Sequence, residues 1–442
     1  MGAKWSLAAL GIALVGRAGL AQQEPMDRPS TDGEATYGAP VDHALIVANP
    51  SGGPYWPGGP SPTNPAQFQW PGGATFAGIT GQNDPRYNPA YGTGYDGVAR
   101  LLLTRPDGTA GCTGTLISSR VVLTAAHCIA NAQGQRVASS VQASFRNAQG
   151  GVTTYTAQGA NTYVMSGYTG AVVDQRDLAV LYLDTPADPT IPIYPIYTGN
   201  PLFQEVVFAG YGRTGNGVTG GIATNLFDPV PVLRIGKNSW ELTRNGNTVS
   251  IGTAPTFNVL VADFDGTDPG GVYAVPRADA AGQLVTGWAA TSLAENNTSC
   301  RIFDGAVLPG AVRTALCSEG FGLDEVSIGP GDSGGPGFIR IGDQLYVAGV
   351  ASHGSAPCVP DQRLNPDGTP NPRTDPGCPT GFIAVQGRFG GITGHVFTGG
   401  VQQLAFIDNA LTAPEPSTWA LLATGLAGVA GVSATARRRR RD

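Results

Sequence analysis

The sequence predicts an all-β protein, and three observations carry that prediction. Gly 65 and Pro 35 together exceed a fifth of the 442 residues, a composition that favours short strands and frequent turns over long helices. From Tyr95 onward, short apolar runs of strand length alternate with turn residues. Charged residues make up only 13% of the chain, and 41% hydrophobic residues are enough to build a core and to exclude a disordered polymer.

The strand-like runs are "VARLLLT" (98–104), "RVVLTAA" (120–126), "LAVLYLD" (178–184), "EVVFAGYG" (205–212) and "LYVAGVAS" (345–352). The first long amphipathic helix is expected at 401–412, "VQQLAFIDNALT", with Val401, Leu404, Ala405, Ile407 and Leu411 on one face. Residues 22–93 are rich in Gly, Pro, Asn and Thr without a hydrophobic period, and read as a pro-segment or loose linker.

Both ends carry address-like features. Lys4, the apolar run Trp5 to Val15 and Gly19-Leu20-Ala21 read as a cleavable export signal over residues 1–21. Residues 412–442 join a Pro-Glu-Pro turn, an apolar stretch at 419–436 and five arginines. Its 18 residues would span ~27 Å as a helix, a marginal crossing that predicts transient membrane contact, with the arginines staying cytoplasmic. In all three parts the tail resembles the PEP-CTERM sorting signal of Gram-negative bacteria. That resemblance implies an exosortase-type processing enzyme as partner, removal of the tail, and a cell-surface or extracellular destination. The whole chain carries −6; the export signal holds +2 and the tail from 414 holds +3, so the body between them is −11. Such an acidic body argues against nucleic acid as a partner. Six cysteines in an exported chain fit three disulfides, with fifteen pairings open.

"SIGPGDSGGPGF" (327–338) sets a single hydroxyl, Ser333, in a glycine-rich turn. A serine is a weak nucleophile until a base takes its proton and donors stabilise the oxyanion. The glycines allow the N–H groups of Gly331 and Ser333 to converge on one point. Of the four histidines, His43, His127, His353 and His395, the candidate base is His127 in "VVLTAAHC", just after a strand-like run. Cys128 follows it, and a bridge to Cys112 would pin its turn and contribute ~3 kcal/mol. Asp177 in "QRDLAVLYLD" is the candidate to orient the imidazole, ahead of Asp174 and Asp184, because an almost wholly apolar run follows it and would bury its carboxylate.

"LTAAHC", "DLAVLYL" and "GDSGGP", in that order, resemble the chymotrypsin/trypsin family of serine proteases. The resemblance covers about 94–411 and implies two six-stranded antiparallel β-barrels with a C-terminal helix. It also implies a monomeric endopeptidase that takes a polypeptide substrate and needs neither cofactor nor metal. His127 would be base then acid, Asp177 its orienter and Ser333 the nucleophile, with Gly331 and Ser333 forming the oxyanion hole. Ser352, His353 and Gly354 would line the substrate pocket above Ser327, a floor without the acidic group that selects Arg or Lys, so an apolar side chain is expected. Gly329 stands where the family has a cysteine, and the pairings that follow are Cys358–Cys378 and Cys300–Cys317. Asp332 is the family's partner for a cleavage-liberated amine, but no matching Ile-Val-Gly-Gly start is found. Arg86 lies at a plausible distance for an activation cut, yet a Tyr87 terminus is expected to fit a narrow apolar socket poorly, so Asp332 is expected to be satisfied internally. The same fold without activity, acting in surface binding or matrix assembly, is the other class of reading; a third is an esterase. "DFDGTDPGG" (263–271) and "NPDGTPNPRTDPG" place carboxylates in loops but lack a full calcium ligand set.

Overall fold

The apolar runs become strands because leucine and β-branched residues fill both faces of curled sheets. The structure is a computed structural model, in which the chain divides into Met1–Glu34 and Ala35–Asp442. It describes residues 46–47 and most of 87–412. Within that stretch 172, 213, 217–219, 223–231, 246–247, 252–258, 266–271, 279–283, 293–297, 304–309, 318–319, 322–323, 356–357, 361–373, 375–377, 379 and 385–389 fall outside the description. The export signal at 1–21 and the tail segment 419–436 also lie outside the described residues. Among the described residues no helix is long and apolar enough to cross a membrane.

A two-residue strand β1 (Ile46–Val47) precedes the main body. The first half then builds β2 (Val98–Arg105), β3 (Gly108–Leu116), β4 (Val121–Thr124), β5 (Ser140–Arg146), β6 (Val152–Gln158), β7 (Thr162–Val164) and β8 (Ala179–Tyr182). These form one sheet in the order β6-β5-β2-β3-β4-β8-β7, with every neighbouring pair antiparallel. All four residues of β4 and of β8 are buried, and they pair in register with Val122 opposite Leu181. Between β4 and β5 lies the single-turn helix α1 (Ala126–Ile129).

The second half is larger. It contains β9 (Glu205–Gly210), β10 (Thr214–Asn216), β11 (Gly220–Ile222), β12 (Arg234–Ser239), β13 (Leu242–Asn245), β14 (Thr248–Ile251), β15 (Val259–Asp263), β16 (Val272–Ala278) and β17 (Leu284–Ser292). Helices α2 (Thr298–Ile302) and α3 (Gly310–Leu316) follow, then β18 (Val326–Ser327), β19 (Pro336–Ile341), β20 (Gln344–Ser355), β21 (Cys358–Pro360), β22 (Phe382–Ala384) and β23 (Ile392–Phe397). The main sheet runs β12-β9-β19-β20-β23-β15-β13-β14, all antiparallel. Two further sheets are four-stranded, β17-β16-β21-β22 and β11-β10-β1-β18.

The fold is therefore all-β with two curled antiparallel sheets, as the sequence predicts, but the strand counts differ from six and six. The first sheet has seven strands and the second eight. In the second sheet the insertion before Ser333 supplies added strands, because β13 and β14 form a hairpin that β15 joins to β23.

One large cluster draws from both sheets, including Leu101, Leu123, Val180, Ala209, Phe338 and Val350. Helix α4 (Val401–Thr412) closes the chain where expected. Its packed face is not the expected one: Gln403, Ile407 and Ala410 are buried, whereas Val401 is 82% exposed and Leu411 41% exposed. Polar anchoring decides this rotation. Gln403 donates its side-chain N–H to the Gln175 carbonyl (2.8 Å), and the Ala410 carbonyl accepts the Tyr182 hydroxyl (2.7 Å). All three cysteine pairs form as expected, Cys112–Cys128, Cys300–Cys317 and Cys358–Cys378.

Candidate active site

His127 enters α1 directly after β4, and two hydrogen bonds fix it to Asp177. Its backbone N–H donates to Asp177 Oδ1 (2.8 Å), and ring Nδ1 lies 2.7 Å from Asp177 Oδ2. Asp177 is fully buried just ahead of β8. A carboxylate accepts only, so it selects the tautomer with hydrogen on Nδ1, in which Nε2 is the basic nitrogen of the ring. The Ser352 hydroxyl on β20 also donates to Asp177 Oδ2. The rival carboxylates are engaged elsewhere. Asp174 accepts the Thr169 N–H and hydroxyl and the Arg176 N–H within its own turn, while Asp184 takes the Gln158 and Asn161 amides. Tyr168 is buried nearby, its phenol pushed up by burial and by the adjacent Asp177 and Asp174, so it stays neutral.

Thr113 of β3 binds the glycine-rich loop of Ser333 to the first sheet. Thr113 N–H donates to the Ser333 carbonyl (2.8 Å), its hydroxyl donates to the Gly331 carbonyl (2.8 Å), and that hydroxyl oxygen accepts the Tyr211 N–H (3.2 Å). Thr113 is next to Cys112, whose disulfide partner Cys128 is next to His127. Gly334 requires glycine on two counts. Its φ is +83°, and a Cβ there would come within 2.0 Å of Thr124 Oγ1. That close approach sets the loop against the end of β4, three residues before His127. Gly331 has φ 100°. No acceptor among the described residues takes the N–H of Gly331 or of Ser333, which leaves both as donors available at the loop.

Asp332 is 1% exposed and accepts the Gly212 N–H at Oδ1 (2.9 Å) and the Gly329 N–H at Oδ2 (3.3 Å). Burial pushes its carboxyl up to about 7, opposed by those two N–H groups and by the Arg234 guanidinium. The same burial lowers Arg234, and Asp332 in turn raises it, so the two charges act on each other. Gly212, Gly329 and Arg234 as holders of Asp332 were not legible in the sequence. Tyr87, after Arg86, is 1% exposed in one cluster with Leu202, Val206, Phe208 and Trp240, and its carbonyl accepts the Ile235 N–H (2.8 Å). Tyr87 is thus a core residue of the uncut chain.

The pocket candidates occupy two strands. Ser327 is buried in β18. Ser352, His353 and Gly354 lie consecutively on β20, but the Ser352 hydroxyl turns to Asp177 as described. The buried His353 ring covers Gly394 of β23, where a Cβ would meet ring Cε1 at 2.0 Å. Beyond the cleft, Glu241, Asp263 and Glu325 form a buried acidic group that sequence reading missed. Ser299 binds it, N–H to Asp263 (2.7 Å) and hydroxyl to Glu241 (3.1 Å), and Glu325 accepts the Asp265 and Phe321 N–H groups. Asp263 and Asp265 of the "DFDGTDPGG" loop are therefore structural in part; residues 266–271 of that loop and 365–373 and 375–377 of "NPDGTPNPRTDPG" lie outside the described residues.

Residues 90–229, which hold His127 and Asp177, match the family model described as Trypsin. No curated protein matches the chain. Solved structures similar to it include the protease Anisep from Arthrobacter nicotinovorans, at 12% identity and TM-score 0.37, covering 72% of this chain and 96% of that one. The thermostable serine protease AL20 from an extremophilic microorganism is 11% identical at TM-score 0.37, covering 73% and 100%. A Glu endopeptidase is 17% identical at TM-score 0.35, covering 74% and 94%.

Proposed function

We propose that the chain is an exported serine endopeptidase that cleaves polypeptides through an acyl-enzyme at Ser333. The two-point hold of Asp177 on His127, beside a nucleophile loop with two open N–H donors, is the observation that carries this reading. The match of residues 90–229 to the trypsin family and the two-sheet antiparallel fold support a serine protease.

In the proposed reaction, His127 Nε2 takes the Ser333 proton as Oγ attacks the scissile carbonyl. The Gly331 and Ser333 N–H groups stabilise the oxyanion. Collapse breaks the C–N bond as His127 returns the proton to the leaving amine, and water then hydrolyses the acyl group by the reverse sequence. Asp177 keeps Nδ1–H in place and stabilises the imidazolium. The end of β20 beyond its pairing with β19 would take extended substrate backbone, and a Ser327 floor suits an uncharged side chain. Export by residues 1–21 and tail processing by an exosortase-type enzyme belong to the same proposal.

A fluorophosphonate probe tests this on the secreted protein. Wild type is expected to label at Ser333 and to cleave casein, and Ser333→Ala to do neither. Absence of labelling in correctly folded wild type overturns the reading and leaves a protease fold used for binding. Ester turnover without peptide turnover would also overturn it, in favour of an esterase.

A further inference from the structure

Strand β1 lies far upstream of the Ser333 loop in sequence, within the segment read as a pro-segment or linker. In the structure Ile46 pairs with Ser327 and Val47 with Val326, antiparallel. Val47 pairs on its other side with Asn216, parallel. In the order β11-β10-β1-β18, β1 is the strand that joins β10 to β18. Its two neighbours are short, three residues and two; β10 is also paired with β11, and the Val326 carbonyl of β18 also accepts the Asn238 amide (2.8 Å), but in this sheet it is β1 that pairs with both.

The position of those neighbours gives the contact its meaning. Gly212 stands two residues before β10, and Gly329 two residues after β18. Their N–H groups are the two that hold the Asp332 carboxylate. β1 therefore staples together the two segments that fix Asp332, the residue between Gly331 and Ser333. Two N–H donors hold the carboxylate from these segments, and the Arg234 charge acts on it as well.

We propose that the chain-internal strand Ile46–Val47 is a positioning element for the reaction, ordering Asp332 and with it the Gly331 and Ser333 donors, in place of a liberated terminal amine. This rests on the reading of Ser333 as nucleophile. It means that the upstream segment is part of the working enzyme rather than a piece discarded to activate it.

Two full-length double variants test it. Ile46→Pro/Val47→Pro removes both ladder N–H donors, whereas Ile46→Thr/Val47→Thr keeps the backbone bonds and a strand-favouring residue. Loss of these bonds is expected to slow fluorophosphonate labelling of Ser333 by about tenfold or more in the Pro pair, with the Thr pair at the wild-type rate. Amide exchange, measured with each pair built into Ser333→Ala, is expected to rise at 212–216 and 326–329 in the Pro pair. Amides of β2 to β8 serve as the folding control. Sequencing of labelled wild-type protein is expected to find 46–47 retained behind an upstream terminus. Unchanged exchange and labelling in the Pro pair overturns the proposal, as does a fully labelled protein that begins at Tyr87 or at Ile46. Because exchange is read in Ser333→Ala, wild type that fails to label sinks the protease reading without deciding the role of β1.

Discussion

Between Val98 and Tyr182, seven strands form one sheet held at its centre by the Cys112–Cys128 bridge. Between Glu205 and Phe397, an eight-stranded sheet is interleaved with two smaller sheets, two helices and two further bridges. The first half carries His127 and Asp177, and the second carries Ser333, the Gly331 and Ser333 N–H groups and the pocket candidates. His127 and Asp177 each sit at the end of a buried apolar strand and are tied by two hydrogen bonds. Ser333 sits in a loop held from outside it, by Thr113 of the first sheet and by the Gly212 and Gly329 N–H groups on Asp332.

The sharpest way to break this contrast is at the acid–base pair. Asp177→Asn leaves the first sheet folded but favours the wrong imidazole tautomer, so peptidase kcat is expected to fall on the order of 10⁴-fold with little change in melting temperature. Steady-state kinetics beside a thermal melt checks both parts, and a loss below tenfold would remove Asp177 from the mechanism. A smaller effect comes from the support between the halves. Thr113→Val strips the hydroxyl from the Gly331 carbonyl and the Tyr211 N–H, and is expected to cost about 1–3 kcal/mol of stability, read by urea unfolding. Slower labelling at Ser333 should accompany it, because the loop it releases holds the nucleophile.

The smallest effect concerns the second half alone. Burial first, then the Asp263 and Glu325 charges, hold the Glu241 carboxyl well above its ordinary value of 4.5. A raised folded-state value makes its contribution complete below that ordinary value and lost as pH rises through the folded value. Melting temperature is therefore expected to decline as pH rises from about 5 toward 8, with Glu241→Gln flattening the decline. Identical pH profiles for the two proteins would show that Glu241 does not set it.

The sequence made three strands of the first half readable, β2, β4 and β8, and two of the second, β9 and β20. Four of these runs became strands within a residue or two and "LYVAGVAS" extends three residues further, because continuous Val, Leu and Ala are buried on both faces wherever they pair. His127 and Asp177 were legible for the same reason: each abuts such a run. Asp332 was legible as a group needing a partner, yet its holders were not, since Gly212 and Gly329 act through backbone N–H groups that no side-chain pattern reports. Val401 and Leu411 misled because helical periodicity marks an apolar stripe, whereas Gln403 and Ala410 were drawn inward by bonds to distant residues. Ile46–Val47 went unread because two residues among glycines and prolines carry no period; only the register of their partners identifies them.

Thr113 gives a last consequence, mechanical rather than chemical. With its N–H, hydroxyl and carbonyl all engaged, by Ser333, by Gly331 and Tyr211, and by Thr124, Thr113 ties the two halves together, and the Ser352 and Tyr211 hydroxyls tie them again at Asp177 and Val98. Halves joined at several points resist parting to fit a rounded surface. Under the proposed activity, a folded target must bring its own slack, so cutting is expected at loops and frayed ends, and compact proteins should resist until they loosen.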